Sequence, residues 1–233
     1  MRSKSVLLKA ILIIIVVLYV SFLYMDISDV KFSISPDLVK YASIVLCFFI
    51  SLFWGDDVLS KRDIFLLRAG LFLTVIADLF LLVFQYFTLG VSVFSIVQII
   101  YSIRYDVGSV YSILRNYLII FLCIIASYLI VNFYIIKIEF LYAIALFYAF
   151  GLVINVVKAI KACKNGLFPS PNKYMIVLGM VLFLLCDINV GLFNTITQQF
   201  NNISYVLIWF FYLPSQVLLS LSGWKIKRIH GVS

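Results

Sequence analysis

The sequence predicts an all-α integral membrane protein, and three observations carry that reading. Hydrophobic residues make up 65% of the 233 and charged residues only 12%, whereas a soluble domain needs about 25% charged residues to cover its surface. The mean hydropathy is +1.16, so most of the chain must take lipid as its solvent. The basic residues, which set a formal net charge of +8, lie in short clusters between apolar runs, as positive-inside sorting places them.

A span needs about 20 predominantly apolar residues, and charges and turn residues cut the chain into eight such segments. They cover 6–25, 37–54, 64–85, 87–103, 116–134, 138–157, 174–193 and 204–222. The first follows Arg2, Lys4 and Lys9 and resembles a signal peptide, but Tyr24, Met25 and Asp26 offer no small-residue cleavage site, so it reads as a span. Lys61, Arg62, Arg104, Arg115 and Lys158 bound the middle segments. The stretch Lys158–Lys173, with Asn165-Gly166 and Pro169-Ser170-Pro171, is the one real linker. No length is left for a soluble domain, so residues 1–233 form a single transmembrane domain.

Eight spans put both termini on one side. With the N-terminus cytoplasmic, 15 of the 18 Lys and Arg residues fall inside, and only Lys31, Lys40 and Lys137 fall outside. That bias orients the chain in a cell membrane, with a bacterial cytoplasmic membrane as the expected site. Trp54, Trp209, Trp224, Tyr86, Tyr134, Tyr174 and Tyr205 stand near span ends, where such rings anchor at the interface.

Several function classes drop out. There is no basic stripe and no nucleic-acid motif, so the charge does not point to nucleic acid. Cys47, Cys123, Cys163 and Cys186 show no CxxC spacing. His230 is the only histidine, which excludes a histidine-based metal centre or a Ser-His triad within one chain. No metal or cofactor is expected.

Two stretches repeat weakly. Ala69–Gln85 (AGLFLTVIADLFLLVFQ) and Leu178–Asn194 (LGMVLFLLCDINVGLFN) each place an aspartate eight residues after a glycine. The span after each carries an aromatic four residues before a glutamine, Phe94 with Gln98 and Tyr212 with Gln216. Spans three and seven run the same way, so the pattern implies two parallel four-helix repeats, 1–115 and 116–233, about an axis along the membrane normal.

Most acidic residues read as solvated loop charge: Asp26, Asp29 and Asp37 outside, Asp56, Asp57, Asp63 and Asp106 inside, and Glu139 at a span edge. Asp78 and Asp187 differ, because each is embedded in an apolar run. A charge at mid-bilayer costs roughly 2.5–3.5 kcal/mol on insertion scales. At about 1.5 Å per residue, Asp78 lies roughly 15 Å beyond Arg68 and Asp187 roughly 20 Å beyond Tyr174, near the midplane of a core about 30 Å thick. Read structurally, the pair is interhelical glue; read functionally, it is a catalytic or ion-coupling dyad. Gln98, Gln216, Tyr101, Tyr148 and Tyr212 fall at similar depths and converge on a polar pocket.

Two carboxyls close together in low dielectric do not both ionise easily, which leaves an acid beside a carboxylate. One side-chain type then supplies both a general acid and a general base. That suits hydrolysis through an oxocarbenium-like ion, as in a glycoside, acetal or vinyl ether. A YD motif paired with GxGD, as in intramembrane aspartyl proteases, is not found, since no GxGD occurs.

At these residues the chain resembles the lysoplasmalogenase, or YhhN-like, family of membrane proteins. The family's Gly-Asp-rich third span and its following Gly, Phe, His and Tyr are matched in ADLFLLVFQYFTLGVSVFSIVQIIY by Asp78, Gly90, Phe94 and Tyr101. Its Phe-x-x-Ser-Asp segment is matched by FLLCD with Asp187, and its Tyr-x-x-x-Gln element by YLPSQ with Tyr212 and Gln216. Lys40 corresponds to a lysine entering the second span and Tyr148 to a tyrosine in the sixth. Ala77, Cys186 and Gln98 depart from the family's glycine, serine and histidine.

The resemblance, over about Asp37–Ser222, implies an eight-helix fold and hydrolysis of the vinyl-ether bond of lysoplasmalogens to a fatty aldehyde and a glycerophosphoethanolamine or glycerophosphocholine. It implies Asp78 and Asp187 as the acid/base pair. Gln98, Tyr101, Tyr148, Tyr212 and Gln216 would line the substrate, and Lys40 would meet the headgroup phosphate. The partners are then a lysophospholipid, water and the surrounding lipid, with no nucleic acid. The alternatives are a proton-coupled solute or lipid transporter, and a catalytically lapsed lipid-binding relative.

Overall fold

Every described element of the chain is helical. The computed structural model describes residues 2–28, 33–53, 59–195 and 201–224, the side chains of 2–5, 195 and 201 excepted. Lys31, Asp29, Trp54, Asp56, Asp57, Lys225, Lys227, Arg228 and His230 lie outside the described residues, as do the side chains of Arg2 and Lys4. The described residues form α1 (Arg2–Ile27), α2 (Pro36–Leu52), α3 (Lys61–Asp78), α4 (Phe87–Arg104), α5 (Val110–Tyr134), α6 (Phe140–Lys164), α7 (Asn172–Thr195) and α8 (Asn201–Leu221). Seven of these are long and apolar enough to cross a membrane. The exception, α2, has 17 residues, at the lower limit of about 17 for a span. The chain is a multi-pass membrane protein.

Local chemistry sets the helix ends. Ser35 caps α2 by accepting from the Asp37 N–H, with Pro36 at the first helical position, where its missing N–H costs nothing. Ser60 accepts from the Asp63 N–H at 3.0 Å to start α3. At the end of α6, Gly166 takes φ +68°, and its N–H and that of Leu167 close on the carbonyls of Cys163 and Ala162. Gly166 supplies the left-handed residue that this C-terminal motif needs.

The end of α3 is different. Directly after Asp78 the helix widens into a π turn over Leu79–Val83 and stops at Gln85, whose φ is +57°. Such turns are rare and cluster at functional sites. The following helix packs tightly on it: a Cβ at Gly90 would stand 2.5 Å from Leu81 and 3.1 Å from the Ala77 carbonyl. Only glycine lets α4 approach the residue before Asp78 so closely.

The bundle is built on the α7–α8, α3–α4, α4–α6 and α6–α7 seams, while α1 packs on α2 and α8, and α5 on α6 and α4. Pro214 lies inside α8 and has no N–H to offer the carbonyl one turn back, at Phe210. In lipid that carbonyl needs another donor, and the Tyr19 hydroxyl of α1 supplies it at 3.0 Å. Tyr19→Phe is expected to cost about 1 kcal/mol in the wild-type background and markedly less beside Pro214→Ala, which restores the helix N–H. Denaturant unfolding of the four-member cycle checks this, and equal costs in both backgrounds would sink it.

Three expectations are corrected by the packing. Asp26 is not a solvated loop charge: it sits in the last turn of α1 with a side chain 1% exposed, paired with Lys40 at 2.9 Å. Asp63 is buried in the first turn of α3 and pairs with Arg104 at 2.7 Å. In both cases a charge that looks like a span boundary has a cation from another helix, and pairing offsets the desolvation that burial exacts. Trp209 is buried in the core rather than set at the interface. Its ring lies 5.6 Å from that of Phe22 and 5.2 Å from that of Tyr212. Tyr86, Tyr134 and Tyr174 are exposed, as interfacial anchors are.

Candidate active site

Asp78 and Asp187 come together inside the bundle. Asp78 ends α3 and is 3% exposed, while Asp187 lies mid-way along α7 and is half-buried. Both are brought to one ring: Phe94 packs against Tyr148, which bonds Asp187, and against Tyr212, which bonds Asp78. Each is held by one tyrosine. The Tyr212 hydroxyl of α8 donates to Asp78 Oδ2 at 2.7 Å, and the Tyr148 hydroxyl of α6 donates to Asp187 Oδ2. Among the described residues no lysine or arginine pairs with either carboxyl.

Aromatic rings wall the pair. The Phe94 ring of α4 sits 5.8 Å from Tyr148, 6.0 Å from Phe183 and 6.5 Å from Tyr212. Phe183 in turn stands 5.5 Å from Tyr212. The Phe94–Phe183 and Phe94–Tyr212 contacts are edge-on and the other two tilted, and such ring packing restrains the orientation of both tyrosines. The surroundings are asymmetric. Asp78 and Tyr212 are enclosed, whereas Asp187 and Tyr148 are partly open, and the next residue of α7, Ile188, is 49% exposed.

The other expected site residues divide. Gln98 is fully buried on α4, one turn from Phe94, where its backbone carbonyl and its Oε1 accept from Asn155 Nδ2 at 2.7 and 2.8 Å. It therefore ties α4 to α6. Gln216 is fully buried one turn beyond Tyr212 on α8. Tyr101 is placed elsewhere: its ring lies over Gly70, stacked on Tyr105 at 5.9 Å. Gly70 is roughly 12 Å along α3 from Asp78.

Lys40 is not beside the carboxyls either. It is fully buried, paired with Asp26 at 2.9 Å and Asp37 at 3.6 Å, and it donates to the Tyr205 hydroxyl at 2.9 Å. Its ammonium also lies over the Tyr205 and Trp209 rings, 4.5 and 5.3 Å from their centroids. That cluster locks α1 and α2 to α8.

Sequence reasoning missed Phe183, Trp209 and Asn155. Phe183 stands one turn before Asp187, a spacing that places it on the same helix face. Nothing in the sequence marks Asn155 as a partner of Gln98. No three described His, Cys, Asp or Glu side chains group as metal ligands. The arrangement is therefore a pair of carboxyls, each bonded by a phenol, set among aromatic rings with one partly exposed side.

The family model of the YhhN family matches residues 35–223. These bounds take in both carboxyls and both tyrosines, and also Gln98, Tyr101, Gln216 and Lys40. Comparison with curated proteins and with solved structures finds no match.

Proposed function

The chain belongs to the YhhN family, and from that premise we propose that it is an intramembrane hydrolase cleaving the vinyl-ether bond of lysoplasmalogens. The observation that carries the proposal is the pair itself: Asp78 and Asp187, each bonded to one tyrosine, the two tyrosines meeting at Phe94, and neither carboxyl paired with a described lysine or arginine. Family membership is compatible with a hydrolase, and the carboxyl pair supplies the chemistry.

In the proposed reaction the protonated carboxyl of the pair gives its proton to the vinyl carbon away from the ether oxygen. The double-bond electrons form the new C–H bond and leave an oxocarbenium ion. The ionised carboxylate takes a proton from water as the water oxygen bonds to the cationic carbon. The resulting hemiacetal loses its hydroxyl proton and breaks its C–O bond to glycerol, whose oxygen takes up a proton. The products are a fatty aldehyde and a glycerophospho-alcohol. General acid and base steps of this kind are each worth about 10²–10⁴-fold.

The partly open Asp187–Tyr148 side supports lateral approach of the lipid chain. Tyr212 and Tyr148 hold the carboxyls, and Gln216 stands near enough to Tyr212 to orient water. Lys40, already paired with Asp26, has no part in this scheme.

The same proposal includes eight crossings of a cell membrane, both termini cytoplasmic, and two parallel halves. Helix packing supports the halves. The α1–α2, α2–α3 and α3–α4 seams match α5–α6, α6–α7 and α7–α8, and α8 packs on α1 and α2 as α4 packs on α5 and α6. The π turn beside Asp78 favours the second reading, a proton-coupled transporter, because transporters place interrupted helices at their binding sites.

Turnover in heavy water separates them. Protein in nanodiscs given lysoplasmalogen in D2O is expected to release aldehyde carrying one deuterium next to the carbonyl. Proton or solute flux without aldehyde would overturn the hydrolase. Tyr212→Phe is expected to lower kcat by about 10–100-fold with little change in KM, since loss of one buried hydrogen bond to a charged group costs about 1.5–3 kcal/mol. Unchanged kcat would show that Tyr212 does not position Asp78.

A further inference from the structure

Trp209 joins two features that the proposed chemistry leaves separate: the buried ion cluster at Lys40 and the tyrosine that holds Asp78. Tyr205, Trp209 and Tyr212 follow one another on α8 at intervals of four and three residues, a spacing that sets all three on one face of the helix. Together they form a series of contacts. The Lys40 ammonium donates to the Tyr205 hydroxyl at 2.9 Å and lies 5.3 Å from the centroid of the Trp209 ring. The Trp209 ring meets that of Tyr212 edge-on, with centroids 5.2 Å apart and planes at 85°. The Tyr212 hydroxyl in turn donates to Asp78 Oδ2 at 2.7 Å. Trp209 lies nearer to the Tyr212 ring than Phe183 at 5.5 Å or Phe94 at 6.5 Å.

The helix needs side-chain support at this point. Pro214 has no N–H for the Phe210 carbonyl, so the ladder is broken across the turn that carries Tyr212. Such a break weakens the hold of the backbone on the direction of its side chains. Two residues of α1 brace the turn. Tyr19 donates to the Phe210 carbonyl at 3.0 Å, and Phe22, which is 0% exposed, sets its ring edge-on to Trp209 at 5.6 Å.

Trp209 is therefore gripped from two directions, by Phe22 and by the ammonium. Among the aromatic side chains tryptophan attracts a cation most strongly over its ring. Asp26 keeps the cation in place, paired with Lys40 at 2.9 Å with both side chains nearly inaccessible.

We propose that Trp209 is a positioning residue: clamped between Phe22 and the Lys40 ammonium, it holds the Tyr212 ring where its hydroxyl reaches Asp78. Lys40 and Trp209 meet no reacting atom and act only through Tyr212. The consequence for hydrolysis rests on the proposed function; the consequence for the Asp78 hydrogen bond does not.

The infrared carbonyl band of protonated Asp78 reports that bond without substrate, because a carbonyl that loses a hydrogen-bond donor absorbs at higher wavenumber. Full-length protein in acidified nanodiscs is the sample, and the band is identified by its loss in Asp78→Asn. Tyr212→Phe is expected to move the band up, Trp209→Leu to move it the same way, and the double variant no further than Tyr212→Phe. In turnover, Trp209→Leu is expected to lower kcat by at least about fivefold with KM changed by less than about twofold. In the Tyr212→Phe background the same substitution is expected to cost less than about twofold. An unmoved band, or equal losses of kcat in both backgrounds, overturns the positioning role, and Trp209→Phe serves if the first variant does not fold. Lys40→Met beside Asp26→Asn removes the ammonium without stranding its partner's charge. It is expected to move the band up by less, and no movement removes Lys40 from the clamp. A moved band in a protein that releases no aldehyde sustains the positioning role and removes the hydrolase. Aldehyde release with band and kcat unmoved in Trp209→Leu does the reverse.

Discussion

Asp78→Asn is expected to lower aldehyde release by about 10³-fold or more while leaving the helical bundle as stable as wild type. The rate effect follows from the role of the pair. An amide cannot deliver a proton to a vinyl carbon or accept one from water, and a positioned acid or base is worth about 10²–10⁴-fold. Stability is spared because asparagine keeps the shape and still accepts from the Tyr212 hydroxyl, which stands 2.7 Å from Asp78 Oδ2. It also removes an ionisable group from an apolar site, which lowers the cost of burial. Turnover and thermal unfolding of the same preparation check both halves. Wild-type turnover would remove Asp78 from the chemistry, and an unfolded variant would make it structural.

Arg104→Met is expected to do the opposite: to cost about 3–5 kcal/mol of stability by leaving Asp63 as a buried charge without its partner. Arg104 Nε donates to Asp63 Oδ1 at 2.7 Å and Nη2 to Oδ2 at 3.3 Å, with Ser222 Oγ as a further acceptor at 2.9 Å. The pair joins the start of α3, the end of α4 and the end of α8, and both side chains are nearly inaccessible. Removing the cation leaves a carboxylate whose side chain is only 8% accessible, so water replaces the guanidinium poorly. Asp63→Leu together with Arg104→Met is expected to recover most of the loss, since replacing both members of a buried pair by apolar groups is often neutral. Chemical unfolding in detergent decides it, and a stable single variant would show that water reaches Asp63.

The architecture was legible because lipid leaves a chain few options. Apolar runs of span length must be helices when their backbone groups can be satisfied only internally, and the eight runs correspond to eight described helices. Asp78 and Asp187 were legible for a related reason, as carboxyls where nothing local compensates them. Tyr148 and Tyr212 were legible from their depth in the spans and again from the family resemblance, and the structure gives each a carboxyl to hold.

What was hidden depends on long-range partners. Asp63 looks like an ordinary helix-start acid, and its partner Arg104 is 41 residues away. Pro214 reads as a local defect, yet its orphaned carbonyl is repaired from 191 residues away by Tyr19. Lys40 reads as a membrane-edge lysine that snorkels, but Asp26 and Tyr205 hold it inside. The π turn after Asp78 has no glycine or proline to announce it in the run Leu79–Val83. The turn packs against α4 at Gly90, where a Cβ would stand 2.5 Å from Leu81.

The central claim is that Asp78 and Asp187 act as one acid–base unit on a vinyl ether. The most direct measurement is aldehyde release from lysoplasmalogen by wild type, Asp78→Asn, Asp187→Asn and the double variant, each checked for folding. Groups that act as a unit are strongly non-additive. The account therefore predicts release by wild type, near-complete loss in either single variant, and no further loss in the double. Wild-type turnover in either single variant, or no aldehyde from folded wild-type protein, would contradict it.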